Sequence, residues 1–386
     1  MGIRLTRAFA AAALVASCVV ASCAPEPRRD AWTRIGSLPA EGHTVDAYTR
    51  RAGSIAVSED GSRLLCHYHS GPVRLWDVTR AAPLLDIAVV KYSPRVALTG
   101  RGRLVVAVHE NGEAVVYSSA TGAETRRFQA GRPATRLLHA SPSLPWIVVR
   151  DGDNALRVWD ADSGLLQHEI DCGDDPVGFP SLAAGGSRLA GGTAFNVRVW
   201  DMVTGEERSV SSMATNPTLS PDGRRLLAGH FVTCDVGEPP RPGPELWDVG
   251  QFEESSDPAS VRVEGYGRPR SARWLADGRV VGFGIDGRAE IWQAAEGRRQ
   301  RRLPARSRTG VSAVGARDRR LLTYDYVAGL ARIWDIDSGH EVATIPVDSS
   351  HPPHVAVYSD DGSTIAFSDD SHEVEIWRAV DDEADH

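Results

Sequence analysis

Short runs in which apolar and polar residues alternate recur along most of the chain, and the clearest end in an aromatic residue. Val73–Asp77 and Leu156–Asp160 are examples, and their side chains would point in turn to opposite faces of a strand. The aromatic residues are Trp76, Tyr117, Trp159, Trp200, Trp247, Trp292, Trp334 and Trp377. Successive ones are 41, 42, 41, 47, 45, 42 and 43 residues apart. The pattern predicts a tandem repeat of β-strands.

Each repeat has room for three more strands around the one that ends in the aromatic residue. An Asp-Gly turn lies upstream, for example at Asp60-Gly61, Asp222-Gly223 and Asp361-Gly362. Asp-Gly supplies the positive φ angles of a tight hairpin, so the strands on either side of it are predicted to pair. A glycine turn and a more polar strand follow the aromatic residue, as at Ser163-Gly164. Four antiparallel strands per repeat, with polarity rising outward, predict an all-β, single closed β-propeller.

The number of aromatic-bearing strands predicts eight blades, with seven as the alternative. One segment, Trp32–Leu38, precedes the first repeat and resembles outer strands found elsewhere, such as Glu341–Pro346. Little sequence separates Trp377 from the acidic tail 381–386, so the last repeat lacks a fourth strand. We therefore predict that Trp32–Leu38 pairs with the strand around Glu373–Trp377. This pairing would close the ring and leave no long unpaired edge.

Trp-Asp pairs end the aromatic strand in five of the eight repeats, at Trp76-Asp77, Trp159-Asp160, Trp200-Asp201, Trp247-Asp248 and Trp334-Asp335. With their spacing, these pairs resemble the WD40-repeat β-propellers over roughly residues 32–380. The other three repeats read Tyr117-Ser118, Trp292-Gln293 and Trp377-Arg378. The resemblance implies a ring of loops that binds protein partners. The eight aromatic side chains are predicted to fill the space between neighbouring blades.

The beginning of the chain has the pattern of an export signal. Two arginines precede the apolar stretch Ala8–Ala21, which is too short to span a bilayer but suits a signal peptide. Val20-Ala21-Ser22-Cys23 resembles a bacterial lipobox, so residues 1–22 are predicted to be a lipoprotein signal peptide and Cys23 the lipidated residue. Cys18 is the less favoured lipid site, and an ordinary secretory cleavage is the other interpretation. Residues 23–31 would then be a tether that reaches only about 25 Å.

Composition and charge exclude several kinds of partner and site. A net charge of −8 argues against a nucleic-acid partner. The five cysteines form no Cys-x-x-Cys pair, and the sequence has no zinc-protease, serine-hydrolase, P-loop or EF-hand motif. Gly282–Gly287 matches Gly-x-Gly-x-x-Gly, but the predicted strand Arg288–Trp292 follows it where a dinucleotide site needs a helix. His67 and His69 would be half a metal site at most. We expect no cofactor and no metal.

Two surface features remain open to two interpretations each. Arg298, Arg299, Arg301 and Arg302 fall on the predicted outer strand of blade 6. They are either a charged edge that resists edge-to-edge pairing or a contact for an anionic membrane or envelope polymer. The Pro- and Gly-rich insertion Phe231–Pro244 in blade 5 is predicted to project from the face that carries the loops between second and third strands. It is either a contact site or a tolerated insertion.

These features predict a lipid-anchored, monomeric propeller on the extracytoplasmic side of a bacterial membrane, in the cell envelope. It would be a non-catalytic scaffold for an unidentified protein partner, and it would bind no nucleic acid. The alternative is an envelope hydrolase, lactonase or dehydrogenase with a site in the central channel. Such a site needs polar side chains that converge from several blades, and the candidates are Asp151, Asp153, Asp286 and Asp369. Architecture alone does not choose between these functions.

Overall fold

The computed structural model describes most of the predicted propeller and none of residues 1–31 or 381–386. The described residues are 32–38, 52–68, 72–88, 96–175, 177–193, 196–211, 214–230, 245–251, 261–262, 272–283, 288–304, 309–315, 317, 319–347, 352–368 and 374–380. They form eight four-stranded antiparallel sheets and one short 3-10 helix, Val249–Gln251. The prediction of an all-β propeller with eight four-stranded blades is confirmed, and the seven-blade alternative is wrong.

The first strand, β1 (Trp32–Leu38), belongs to the last blade, and the next sixteen strands form blades 1 to 4 in order. Blade 1 contains β2 (Ala52–Val57), β3 (Arg63–Tyr68), β4 (Val73–Asp77) and β5 (Ala82–Ile87). Blade 2 contains β6 (Val96–Thr99), β7 (Leu104–Val108), β8 (Glu113–Ser118) and β9 (Glu124–Gln129). Blade 3 contains β10 (Arg136–Ala140), β11 (Trp146–Arg150), β12 (Leu156–Asp160) and β13 (Leu165–Ile170). Blade 4 contains β14 (Gly178–Leu182), β15 (Arg188–Gly192), β16 (Asn196–Asp201) and β17 (Glu207–Ser211).

Blades 5 to 8 take up the remaining strands. Blade 5 contains β18 (Ala214–Leu219), β19 (Arg225–His230), β20 (Glu245–Asp248) and β21 (Val261–Arg262). Blade 6 contains β22 (Arg273–Trp274), β23 (Arg279–Phe283), β24 (Ala289–Gln293) and β25 (Arg298–Arg302). Blade 7 contains β26 (Thr309–Gly315), β27 (Arg320–Asp325), β28 (Leu330–Asp335) and β29 (Glu341–Pro346). Blade 8 contains β30 (Val355–Tyr358), β31 (Thr364–Ser368), β32 (Val374–Ala379) and β1.

We name the four strands of each blade a to d, from the centre of the ring outward. Strands a of neighbouring blades contact one another around the centre. Strands b are the most buried, and every residue of β7 and of β31 is buried. Strands d are the most exposed, and all five residues of β25 are exposed. Polarity therefore rises outward, as the sequence pattern predicts.

The hydrophobic core lies between the blades, where strands of neighbouring sheets pack face to face. One cluster joins Leu64 and Trp76 of blade 1 to Val374 and Ile376 of blade 8. Six of the eight aromatic residues at the end of strand c are buried, namely Trp76, Trp200, Trp247, Trp292, Trp334 and Trp377. Tyr117 and Trp159 at the equivalent positions are half-buried and pack against the edge of neighbouring clusters.

The aspartate that follows the tryptophan in five blades shapes the turn between strands c and d. In blade 4, the Asp201 carboxylate accepts hydrogen bonds from the backbone N–H groups of Val203 (2.9 Å) and Thr204 (3.0 Å). These two bonds lower the pKa of Asp201, because they stabilise its charged form. Gly205 then takes the positive φ of 76° that ends the turn. The Trp-Asp pair thus combines a core side chain with a turn former.

Strand β1 closes the ring, as predicted. It pairs antiparallel with β32, and Trp32 lies opposite Ala379 while Leu38 lies opposite Val374. Leu38 is 1% exposed and packs in the cluster between blades 8 and 1. The last blade therefore takes strands a to c from one end of the chain and strand d from the other.

The strand directions define two faces of the ring. Strands a and c end on the face that carries the a–b and c–d turns, which we call the turn face. The b–c loops and the d–a connections lie on the opposite face, the loop face. On the turn face, neighbouring a–b turns are joined by backbone hydrogen bonds, for example from Asp361 N–H to Glu59 C=O (2.9 Å) and from Arg101 N–H to Pro142 C=O (2.7 Å). Such bonds link blades 7, 8, 1, 2 and 3 in turn.

Gly102→Ala is expected to lower the free energy of unfolding by about 2 kcal/mol. The added Cβ would strain the backbone and would overlap sterically with the neighbouring blade. Gly102, in the a–b turn of blade 2, has a φ of 78°, and an added Cβ would lie 2.5 Å from the Cβ of Ser58 in blade 1. Gly278 holds the same turn position in blade 6 with a φ of 82°, and no described atom lies within 4 Å of an added Cβ. Gly278→Ala should therefore show the strain alone, about 1 kcal/mol. Urea unfolding measures both, and equal losses would contradict a tight contact between blades 1 and 2.

Candidate functional site

Three segments of blades 2 and 3 meet on the loop face and form one connected surface. They are the b–c turn His109–Gly112, the connection Ala130–Thr135 and the b–c turn Asp151–Ala155, and we call them the loop platform. The N–H groups of Ala130 and Gly131 donate to the carbonyl of Gly112 at 2.8 and 3.2 Å. Hydrogen bonds thus join the first two segments, and the Arg132–Asp153 ion pair links the third to them.

Two residues of the loop platform adopt a backbone conformation that side chains other than glycine rarely take. Ala134 has a φ of 72° and Asn154 a φ of 65°. Asparagine tolerates this region well, whereas alanine there costs roughly 1–2 kcal/mol. The Ala134 N–H donates to the Glu110 carbonyl (2.9 Å), so the neighbouring turn of blade 2 holds the strained residue in place. Strain of this kind persists only where the surrounding structure determines the backbone conformation.

The exposed rim of the loop platform carries both signs of charge. The Arg132 guanidinium lies 3.1 Å from the Asp153 carboxylate, and their side chains are 72% and 39% exposed. Glu110 is also exposed. An exposed ion pair contributes little to folding, so Arg132 and Asp153 can exchange each other for charges of a partner at little cost in stability. The arrangement suits recognition of a complementary polar protein surface.

Below this rim, a buried ion pair supports the b–c turn of blade 3. The Asp151 side chain is fully buried and pairs with Arg157 on β12. Arg157 also contacts Glu169 on β13, with 2.7 Å between Nη2 and Oε1. Asp151 thus links the turn to the sheet, while Asp153, two residues later, faces solvent.

The described part of the chain contains two of the four aspartates predicted for a channel site. Asp151 and Asp153 lie in one turn, and Asp286 and Asp369 lie outside the described residues. Among the described residues, no group of three His, Cys, Asp or Glu side chains is arranged to hold a metal ion. His67 lies on β3, and His69 lies outside the described residues.

The Gly-x-Gly-x-x-Gly match begins at the end of β23, and its residues 284–287 lie outside the described part of the chain. The element that follows the match is the strand β24, as predicted, and not the helix that a dinucleotide site needs. The match therefore lacks the structural context that would make it a phosphate-binding turn.

The predicted arginine stripe forms β25, and part of its charge is used inside blade 6. Arg299 and Arg302 approach the fully buried carboxylate of Glu290 on β24, at 3.2 and 2.6 Å. Arg301 donates to the carbonyl of Ser338 in blade 7 at 2.7 Å. Arg298 is exposed at the start of the strand. The run of arginines therefore has a structural role, and its contact with an anionic surface stays a prediction.

A charge pair between strands c and d recurs in blades 1, 3, 4, 6, 7 and 8, with its polarity reversed between blades. The two members lie directly opposite each other in blades 1, 3 and 6 and diagonally in blades 4, 7 and 8. Arginine is on strand c and the acid on strand d in the pairs Arg74–Asp86, Arg157–Glu169, Arg198–Glu207 and Arg332–Glu341. The order is reversed in the pairs Glu290–Arg302 and Glu375–Arg34. In each case the strand c residue stands two positions before the aromatic residue, a signal that the sequence carries. Pairing with Glu290 accounts for Arg299 and Arg302 on the outer strand of blade 6.

Arg302→Gln is expected to lower the free energy of unfolding by about 1 kcal/mol, because it removes one of the two guanidinium groups that compensate buried Glu290. Arg298→Gln is the matched control on the same strand and should change stability by less than about 0.5 kcal/mol. Urea unfolding of the two variants measures the difference. Equal effects would contradict the structural role assigned to Arg302.

A shallow depression of about 720 Å³ lies on the turn face among blades 7, 8, 1 and 2. Its charged lining includes Glu59, Asp60, Arg101, Arg103, Arg317 and Asp361. Arg101 is 68% exposed and lies 3.7 Å from Glu59. The opposite charges largely balance, and the lining groups lie on the turns that join the blades.

Several predicted features fall outside the described residues. These are Cys23, the insertion Phe231–Pro244 with Cys234, and the acidic tail. Cys66 and Cys172 are buried thiols. Within the described ranges, no helix has the length and apolarity needed to cross a bilayer.

Apart from Asp151 and Asp153, no residue of the loop platform is among the sites predicted from the sequence. Its signals are turn formers: Gly131-Arg132-Pro133 in one segment and Asp151-Gly152-Asp153-Asn154 in another. Such clusters mark loops throughout the chain and do not reveal which loops touch.

Comparisons with known proteins support the fold and leave the family open. No protein-family model matches the chain, and no curated protein matches it. Among solved structures, the chain is similar to the computationally designed Ika8 protein, with 20% sequence identity and a TM-score of 0.60. That match covers 89% of this chain and 99% of the designed one. At this identity the likeness shows the propeller fold alone.

Proposed function

We propose that the protein is a lipid-anchored, WD40-like scaffold of the bacterial cell envelope that binds a protein partner through its loop platform. The observation that carries the proposal is the connected, strained and charged surface formed by His109–Gly112, Ala130–Thr135 and Asp151–Ala155. A surface held in one conformation loses little entropy when it binds, which raises affinity for a protein ligand. The anchor rests on Cys23 and its sequence context, and propellers with other functions share this fold.

A photo-cross-linking amino acid at Pro133 tests the site in the living envelope. Pro133 is exposed on the loop platform, and Val203, which is 85% exposed in the c–d turn of blade 4, gives a matched position on the turn face. We expect one dominant adduct from position 133 and none of the same mass from position 203. The same adduct from both positions would contradict a specific site on the loop platform.

Charge reversal then tests whether the captured partner uses the rim. Arg132→Glu places two acidic groups side by side at the Arg132–Asp153 pair and should weaken purified-partner binding at least ten-fold, roughly 1.4 kcal/mol. Arg80→Glu is the control, since Arg80 is 77% exposed on the turn face. Equal affinities of both variants for the partner would show that the loop platform does not take part in binding.

Membrane attachment has its own test. We expect the wild-type protein in the membrane fraction and the Cys23→Ser variant in the soluble fraction after cell lysis. Membrane retention of Cys23→Ser would contradict the lipid anchor and leave the loop platform as a separate question.

A further inference from the structure

The first strand of the chain, β1, begins on the turn face of the ring. Strand c of blade 8, β32, runs toward the turn face and ends at Ala379. Trp32, the first residue of β1, lies opposite Ala379, and Leu38 lies opposite Val374 near the loop face. Strand β1 therefore begins at the turn-face end of blade 8.

The length of the proposed tether limits how the ring can lie on a membrane. The tether from Cys23 to residue 31 reaches about 25 Å when fully extended. Strand β1 has seven residues, so it spans about 23 Å from the turn face to the loop face. To bring the loop face to the bilayer, the tether would first have to run the height of blade 8. That path would use almost its whole length.

We infer that the turn face lies against the lipid headgroups and that the loop platform points away from the membrane. This inference rests on the proposed lipid anchor at Cys23. It names a lipid surface as the partner of the turn face and leaves the loop face free for a protein. The two faces thereby serve two different partners.

The chemistry of the turn face fits a lipid headgroup layer. Arg80 and Arg101 are 77% and 68% exposed there, and Arg317 is exposed beside the depression. Guanidinium groups bind phosphate strongly, while the neighbouring acids Glu59 and Asp361 suit the ammonium group of a zwitterionic lipid. The acidic chain has no long-range attraction to an anionic membrane, so the short tether is what brings this face to the lipid.

Fluorescence quenching on two faces of one blade measures the orientation. Val327 is 78% exposed in the b–c turn of blade 7, and His340 is exposed beside the c–d turn of the same blade. Each is replaced by cysteine and labelled in the full-length lipidated protein, in a Cys234→Ser background, since Cys66 and Cys172 are buried. The protein is placed in phosphatidylethanolamine–phosphatidylglycerol vesicles with a headgroup-attached quencher.

We expect at least two-fold stronger quenching at position 340 than at position 327. Stronger quenching at 327 overturns the inference, because the loop face would then lie on the lipid. Equal quenching also overturns it, because the ring would then stand on its edge. Insertion of twenty Gly and Ser residues after Arg29 should reduce the difference, since the longer tether no longer limits the orientation.

The mass of the N-terminal peptide shows whether Cys23 carries a lipid. This measurement distinguishes a missing anchor from a wrong orientation. An unmodified Cys23 in the wild-type protein would overturn both the anchor and the orientation. A lipidated Cys23 with reversed or equal quenching would overturn the orientation alone.

Discussion

Leu38→Ala is expected to lower the free energy of unfolding by about 3 kcal/mol, because it removes a buried side chain from the strand that closes the ring. The side chain is 1% exposed and packs with Ile55 and Trp76 of blade 1 and Val374 of blade 8. Truncation leaves a cavity at the seam where the two ends of the chain meet. Urea unfolding of the purified protein measures the loss.

Deletion of residues 31–40 should lower the free energy of unfolding by more than Leu38→Ala does. The deletion variant should no longer unfold in a single cooperative transition. It exposes the edge of β32 and the cluster between blades 8 and 1, which β1 covers. Thr33→Ala is the control within β1, because Thr33 is exposed, and it should change stability by less than about 0.5 kcal/mol. A deletion variant with an unchanged melting temperature would show that β1 does not close the ring.

The repeat pattern predicts the fold well because each blade carries its own local signals. A strand c with its aromatic residue, an Asp-Gly or Gly turn and a polar strand d recur with nearly constant spacing, so eight blades follow from counting. Closure by Trp32–Leu38 follows from the one strand missing in the last repeat. Apart from the pairing of the two chain ends, every one of these signals lies within a single repeat.

The candidate site is harder to predict because it exists only where three separate segments meet. Gly112, Gly131 and Asp151 are spaced about twenty residues apart, and each reads as an ordinary turn residue in sequence. Their proximity depends on how blade 2 packs against blade 3. The arginine stripe shows the same limit, since Arg302 looks like free surface charge until the register places Glu290 beneath it.

Asp151→Ala is expected to lower the free energy of unfolding by about 3 kcal/mol, because it leaves the largely buried Arg157 without its inner partner. The Asp151 side chain is fully buried and that of Arg157 is 12% exposed. Glu169, which is 52% exposed, remains beside Arg157 and compensates part of the charge. Chemical unfolding, together with binding of the captured partner, measures the effect on the loop platform.

Asp153→Ala is the matched control two residues away in the same turn. Its carboxylate pairs with Arg132 at the surface, so the substitution should change stability by less than about 0.5 kcal/mol. The double variant Asp151→Ala/Arg157→Met removes both buried charges and should recover at least half of the loss, because no uncompensated charge remains. Equal losses for Asp151→Ala and Asp153→Ala would contradict the buried ion pair. Burial, which depends on the fold, is what separates two aspartates that the sequence presents alike.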